Sequence, residues 1–255
     1  MEFSAEIFWS ALLSQDFLNG AILSIQLAVV SQLAAMMIGL LVAVARISKN
    51  KLLSRLGWVY VWFFRAVPTL LVLLIIWNAG PQMFPVLREE WFSPFLAGFI
   101  GLTVVEGAYM AEILRSALLS LDDGQALAAR ALGMRPVQVF FRIALPQAFK
   151  VALGPTGNEF IAMIKYTALA SVISLRELLT TAQVHVSSTF RYAEYYAAAL
   201  IYYLVIVSLV MALQYWVERR LRWTSRGINT AGPGTDSAAL PVTSGTAPAA
   251  PVNKG

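Results

Sequence analysis

The sequence predicts an all-α membrane protein with five transmembrane helices and an ordered cytoplasmic loop between the third and fourth. Three observations predict it. Of 255 residues, 58% are hydrophobic and 13% charged, against about 45–50% and about 25% in a soluble domain. The stretches 21–45, 66–87 and 195–217 hold no Asp, Glu, Lys or Arg, and a helix needs about 20 apolar residues to cross a bilayer. The basic residues gather in alternate connecting segments. The same composition argues against a disordered, fibrous or soluble catalytic protein. With no cysteine, there is no disulfide framework, thiolate metal site or cysteine nucleophile.

The first span is expected at 21–45. The second covers 66–87, with its helix beginning earlier, near Gly57. The third runs from Phe95 to about Leu119 and carries Glu106, Glu112 and Arg115. The fourth, 151–175, carries Glu159 and Lys165, and the fifth is 195–217. Ionisable groups at membrane depth cost several kcal/mol unless paired or hydrated, so they are expected to face a bundle interior or a cavity.

Charge sets the orientation. Arg46, Lys49, Lys51 and Arg55 lie between spans one and two; Arg130, Arg135, Arg142 and Lys150 lie between three and four; Arg219, Arg220, Arg222 and Arg226 follow span five. The alternate segments hold only Arg88, Arg176 and Arg191. Positive residues favour the cytoplasmic side, so the N-terminus is expected outside and the C-terminus inside. This bias accounts for the net charge of +5 without nucleic acid. The first twenty residues contain Glu2, Glu6 and Asp16 but no Lys or Arg, which argues against a cleaved signal peptide. The expected division is an extracytoplasmic start at 1–16, a transmembrane domain at 17–222 and a disordered cytoplasmic tail at 223–255, rich in Gly, Pro, Ser, Thr and Ala.

The segment 120–150 reads as more than a connector. Asp122 and Asp123 suit a helix N-cap, and Gln125 to Leu132 is strongly helix-forming. Gly133 suits the left-handed position past a helix end. Pro136 can open a second helix at its first turn, running through Val137, Val139, Phe140, Phe141 and Ile143, and Leu145-Pro146 is expected to stop it. By residue chemistry alone the segment is either an interfacial helix on lipid or a docking site for a partner.

Its motif resembles the signature loop of permease subunits of ATP-binding cassette importers: Glu-Ala-Ala, three residues, Gly, nine residues, Ile-x-Leu-Pro. Here Leu127-Ala128-Ala129 is followed by Gly133 and by Ile143-Ala144-Leu145-Pro146 at the same spacing. Gly124-Gln125, Pro146-Gln147-Ala148, Asn158 and Lys165-Tyr-Thr-Ala-Leu169 fit the wider context. Upstream, Arg65-x-x-Pro68 and Gly107-Ala108-Tyr109-x-Ala111-Glu112-Ile113-x-Arg115 look like the polar amino-acid branch, histidine/glutamine permease-like. The resemblance covers about 17–222. Leu127 replaces the leading Glu, and Tyr166 and Ala168 depart from the family's Lys-Asp-Thr-Ser-Leu.

The resemblance implies a non-catalytic translocation subunit in a bacterial inner membrane, without cofactor or resident metal. Implied partners are an ATP-binding cassette subunit dimer, a second permease subunit (the same chain or a paralogue), an extracytoplasmic solute-binding protein, an amino-acid substrate and membrane lipid. No glycine is followed by Lys, so a Walker A sequence is missing from this chain and hydrolysis would belong to the partner. The coupling surface would comprise Gly124, Gln125, Leu127, Ala128, Ala129, Arg130, Gly133 and Arg135, where the two arginines meet acidic groups on the ATPase or anionic lipid headgroups.

Substrate candidates are the polar groups within the spans: Arg65, Glu106, Asn158, Glu159 and Lys165. A zwitterionic amino acid needs an anionic and a cationic partner, and a cationic one adds demand for carboxylates. Alternatives stand beside each. Glu112 and Arg115, three apart, suit a mutual pair. Lys165 can pair with Glu159 or snorkel, and Arg65 can cap carbonyls freed by Pro68. His185 reads as a solvated outer-loop residue. Tyr192, Tyr195, Tyr196, Trp216 and Trp223 read as aromatic belts. Gly98 and Gly101 read as helix-packing positions. The rival function is an ion-coupled secondary transporter without an ATPase, although no internal repeat is visible.

Overall fold

The computed structural model describes residues 2–222, and among these only helices and connecting turns occur. The expected tail at 223–255, with Trp223 and Arg226, lies outside the described residues. Helix α1 (Ala5–Leu12) is capped by Ser4, whose Oγ accepts from the Ile7 N–H. Ser14 caps α2 (Gln15–Ile47) in the same way through the Phe17 N–H. Asn50 opens α3 (Lys51–Ala66), its Oδ1 accepting from Leu52 and Leu53.

The second expected span is broken. α3 begins at Lys51 rather than near Gly57 and ends at Val67-Pro68, because the residue before a proline is pushed out of the helical region. The chain restarts as α4 (Thr69–Leu74), widens into a π turn at Ile75–Ala79 and continues as α5 (Gly80–Met83). The two arms meet at 100°. A 3-10 turn, Pro85–Arg88, leads to α6 (Pro94–Leu119), which Ser93 caps and Pro94 opens.

In the middle segment the local signals hold until Pro146. The Asp122 carboxylate caps α7 (Asp123–Ala131) through the Gly124 N–H at 2.8 Å. Gly133 has φ +83°, and Pro136 opens α8 (Pro136–Val139). Leu145-Pro146 does not stop this helix. A π turn at Phe140–Ala144 passes directly into α9 (Leu145–Tyr166), with Pro146 in its first turn. A proline is tolerated where its missing N–H would have lacked a helical partner anyway. The fourth expected span, 151–175, is therefore the later part of α9 followed by a 3-10 turn at Thr167–Ile173.

Ser174 is left-handed, with φ 61°. α10 (Leu178–Thr189) and α11 (Tyr192–Arg222) follow, separated by left-handed Phe190. By length and composition α2, α6 and α11 each suffice to cross a membrane, and the bent 51–83 pair adds a fourth crossing if taken as one.

α6 is the central helix: 61% of its apolar window is buried, against 39% for α2 and 17% for α11. Small residues let α2 approach it. A Cβ on Gly39 would sit 2.4 Å from the Met110 Cβ. The expected packing role of Gly101 is also seen, since a Cβ there would meet Leu73 at 2.6 Å. The main core gathers Leu27, Leu73, Leu102, Met163, Ile164 and Ile173 from five segments. α1 is fastened to α11: the Ser4 N–H donates to Glu194 at 3.0 Å, Arg191 bridges Glu194 and the Glu2 carbonyl, and the Tyr202 hydroxyl donates to the Leu12 carbonyl.

Candidate functional site

Two helices and the end of a third bring polar side chains into one cluster. On α6, Glu106 and Tyr109 are three residues apart and so are neighbours on one face. On α9, Glu159 and Tyr166 are seven apart, two turns along the same face. From the end of α3, the Arg65 guanidinium lies over the Tyr109 ring, 5.3 Å from its centroid. Glu159 lies close enough to Glu106 to repel it and close enough to Arg65 to be attracted. The Tyr166 hydroxyl is within electrostatic reach of Glu159, Tyr109 and Glu106.

Burial grades across this cluster. Arg65 is exposed, Glu159 half-buried and Glu106 only 2% exposed. Glu106 Oε1 is buried without a hydrogen-bond partner. Gln32 on α2 abuts Glu106, and its Nε2 donates to Met110 Sδ at 3.4 Å. Gln32 Oε1, Ser31 Oγ and Thr103 Oγ1 are likewise buried and unpartnered. Buried polar groups without partners are uncommon, and each is a candidate for a group brought from outside.

The five substrate candidates therefore separate. Arg65, Glu106 and Glu159 come together. Asn158 is exposed and turned to α11, where its Oδ1 accepts from Gln214 Nε2 at 3.3 Å. Lys165 is exposed, and six residues from Glu159 it lies well around the helix from it. No ion pair between the two occurs among the described residues. Arg65 stacks on an aromatic ring, a use the sequence did not signal.

Glu112 is committed elsewhere. It pairs with Arg115 at 3.1 Å, as its spacing suggests, and also with Arg46 from α2. Arg46, Glu112 and Arg65 line a groove of about 350 Å³ with Trp58 and Trp62.

At the other end of the bundle stands Glu177, which sequence reasoning missed. It is fully buried and caps α10. Its carboxylate accepts from the Leu179 and Thr180 N–H groups at 2.9 and 2.7 Å, from Thr180 Oγ1, from Ser24 Oγ on α2 and from the Tyr203 hydroxyl on α11. His185 is not a solvated loop residue. It belongs to α10, stacks on Phe17 and Tyr195, and has its Nε2 3.5 Å from Asp16. Leu178, Ala182 and Val186, four residues apart and buried, were a helical signal that the interspersed Thr180, Thr181 and Gln183 obscured.

In the middle segment, Gly124, Gln125, Leu127, Ala128, Arg130, Gly133 and Arg135 are exposed, with Leu127 at 70%, while Ala129 is buried. Gln125 Oε1 accepts from Gln147 at 2.7 Å, tying α7 to α9. The Arg135 N–H donates to Gln138.

Several helices long and apolar enough to cross a membrane, packed around a buried carboxyl group, define a polytopic membrane protein with a functional interior. Comparison with known proteins makes this specific. The chain belongs to the family of binding-protein-dependent transport system inner membrane components, whose family model matches residues 35–223. A probable amino-acid permease protein of Bacillus subtilis (strain 168), YxeN, is 37% identical over 195 residues, covering 76% of this chain and 86% of that protein. The arginine transport system permease protein ArgU of Corynebacterium glutamicum is 33% identical over 224 residues, covering 84% of this chain and 71% of that one. A solved amino acid ABC transporter with histidines superimposes with a TM-score of 0.74 at 32% identity, covering 86% of this chain and 99% of the other. The chain is thus a permease-type inner-membrane component of an ABC transport system.

Proposed function

We propose that this chain is the translocation subunit of an ATP-driven, binding-protein-dependent importer of polar amino acids or amino-acid derivatives. The carrying observation is the meeting of Arg65, Glu106 and Glu159 in one cluster in a member of this family. A guanidinium and carboxyl groups clustered between helices match the carboxylate and ammonium of an amino acid, whose desolvation at membrane depth needs such partners.

In this reading there are five crossings with the N-terminus outside. α3 with α4 and α5 forms a bent second crossing, and α9 with the following 3-10 turn forms the fourth. The basic residues flanking α2, α7, α8 and α11 support the orientation. The exposed helix α7 is the coupling helix, presenting Leu127, Ala128 and Arg130 beside the Gly133 turn to an ATP-binding subunit. Leu127 makes that contact apolar where a carboxylate is usual. A second permease subunit completes the pathway, and an extracytoplasmic binding protein delivers the substrate. ATP binding and hydrolysis on the partner move α7. Because α8, the π turn and α9 are continuous, that displacement reaches Glu159 and shifts the cluster between outward and inward access. The substrate is moved, not transformed.

The test is affinity purification of the tagged chain from its native membrane in mild detergent, followed by uptake assays on the reconstituted complex. A stoichiometric ATP-binding subunit and ATP-dependent amino-acid uptake are expected. Gly133→Asp should abolish uptake while leaving membrane insertion intact, because a Cβ there meets nothing within 4 Å and the strain is confined to the left-handed turn. Recovery without any ATPase, with uptake driven by an ion gradient, would overturn the proposal.

A further inference from the structure

The groove of about 350 Å³ bounded by Arg46, Trp58, Trp62, Arg65 and Glu112 is not lined by Glu106 or Glu159, and its charges do not balance. Arg46 of α2 stands within electrostatic reach of both Arg65 and Arg115. Glu112 pairs with Arg46 and with Arg115. Arg65 has Glu159 within reach, but no ion pair between the two occurs among the described residues. Three guanidiniums thus meet two carboxyl groups, and one positive charge is left over. Arg115 Nε is buried without a hydrogen-bond partner. Lys49, Lys51 and Arg55, all exposed, add to the positive field around the α2–α3 connection. The groove is built to receive an anion.

The surface around the groove says which anion. Arg55, Trp58, Trp62 and Arg65, spaced three, four and three, share one face of α3. The Trp58 and Trp62 rings are parallel to within 8°, with centroids 6.1 Å apart, and both are more than half exposed. Indole rings favour the headgroup level of a bilayer. Leu52, Leu56, Val59 and Phe63, spaced four, three and four, form a second line along the same helix, and all four are exposed. A small soluble anion leaves that apolar line bare. A phospholipid covers it with acyl chains while its phosphate takes up the surplus charge. The groove volume suits a headgroup, since small-ligand sites start near 300 Å³. We infer that this groove binds the headgroup of an anionic phospholipid: Arg46 and Arg65 hold the phosphate, Trp58 and Trp62 flank the glycerol, and the acyl chains lie along Leu52, Leu56, Val59 and Phe63. The topology proposed above puts this lipid in the cytoplasmic leaflet, but the site itself does not depend on it.

Native mass spectrometry of the full chain, purified with its partners in mild detergent, counts bound lipid. The probes are phosphatidylglycerol and phosphatidylcholine with identical acyl chains, and glycerol 3-phosphate as the free anion. Phosphatidylglycerol should be retained at least about fivefold over phosphatidylcholine, the factor that one basic residue near a lipid surface supplies. Arg46→Gln should bring that ratio towards one. Trp58→Ala, at an exposed position that spares the fold, should at least halve the phosphatidylglycerol retained. Arg219→Gln with Arg220→Gln, at the end of α11, should leave the ratio within about twofold of the parent. The chain has no cysteine, so Trp58→Cys supplies its one thiol, and a benzophenone maleimide placed there should crosslink to lipid. Equal retention of the two lipids would overturn the proposal, as would a preference kept in Arg46→Gln or lost with the α11 arginines. Glycerol 3-phosphate displacing the lipid at equal concentration would reassign the groove to a soluble anion, and a crosslink to another polypeptide would reassign it to a protein contact. None of these readouts involves amino-acid uptake, so the transport reading stands or falls separately.

Discussion

Glu177 and Glu106 are both buried carboxyl residues, one at the head of α10 and one near the middle of α6, and their surroundings differ completely. Glu177 accepts from two backbone N–H groups and three hydroxyls contributed by α2, α10 and α11. Glu106 has at most the Gln32 amide as a donor and leaves Oε1 unpartnered, as Gln32 Oε1, Thr103 Oγ1 and Ser31 Oγ are. A satisfied carboxylate is part of the scaffold, whereas an unsatisfied one is kept at a cost, which function explains better than stability. Burial alone does not tell the two apart; the count of donors does.

Substitutions can break or sharpen this contrast. Glu177→Ala should have the largest effect, about 3 kcal/mol, because it strands the Tyr203, Ser24 and Thr180 donors. It would appear as a lowered unfolding temperature in detergent. Gly39→Val should follow at about 2 kcal/mol, since the added carbons overpack the α2–α6 contact; the same melt reads it. Tyr203→Phe removes one donor and should cost about 1 kcal/mol. Glu106→Gln should leave the melt within about 0.5 kcal/mol of the parent while abolishing uptake of labelled substrate. If Glu106→Gln instead destabilised as much as Glu177→Ala, the two carboxyl groups would be equivalent and the contrast would fail. Leu127→Glu, at a 70% exposed position, should leave the melt unchanged and alter only ATPase co-purification.

Local chemistry was legible in the sequence where the partner is a near neighbour. The Asp122 cap, the Gly133 turn, the Pro136 start and the Glu112–Arg115 pair all act within a few residues. The apolar runs revealed α2, α6 and α11 for the same reason. Pro146 misled because a proline ends a helix or opens one depending on the turn before it, and that turn is a π turn here. Val67-Pro68 was hidden inside a run whose lack of charge suggested a single crossing, although polarity carries no information about direction. Glu177 stayed invisible because Ser24 lies 153 residues away. For the cluster, the residue types were legible, but which of them meet was not. Arg65, Glu106 and Glu159 join through the packing of α3, α6 and α9, while Asn158, adjacent to Glu159, points to a different helix.

The π turn at Phe140–Ala144 also sets an azimuth. Such a turn holds about one residue more than a regular helical turn, and one residue is about 100° of rotation. Deleting a single residue there would let a regular helix run from Pro136 into α9. Everything beyond would then turn relative to α7 by more than a quarter of a circle. Glu159 would swing away from Glu106 and a neighbouring residue would take its place. The orientation of an acid in the middle of the bundle is thus written in the length of a turn about four helical turns away, on the segment closest to the cytoplasm in the proposed topology.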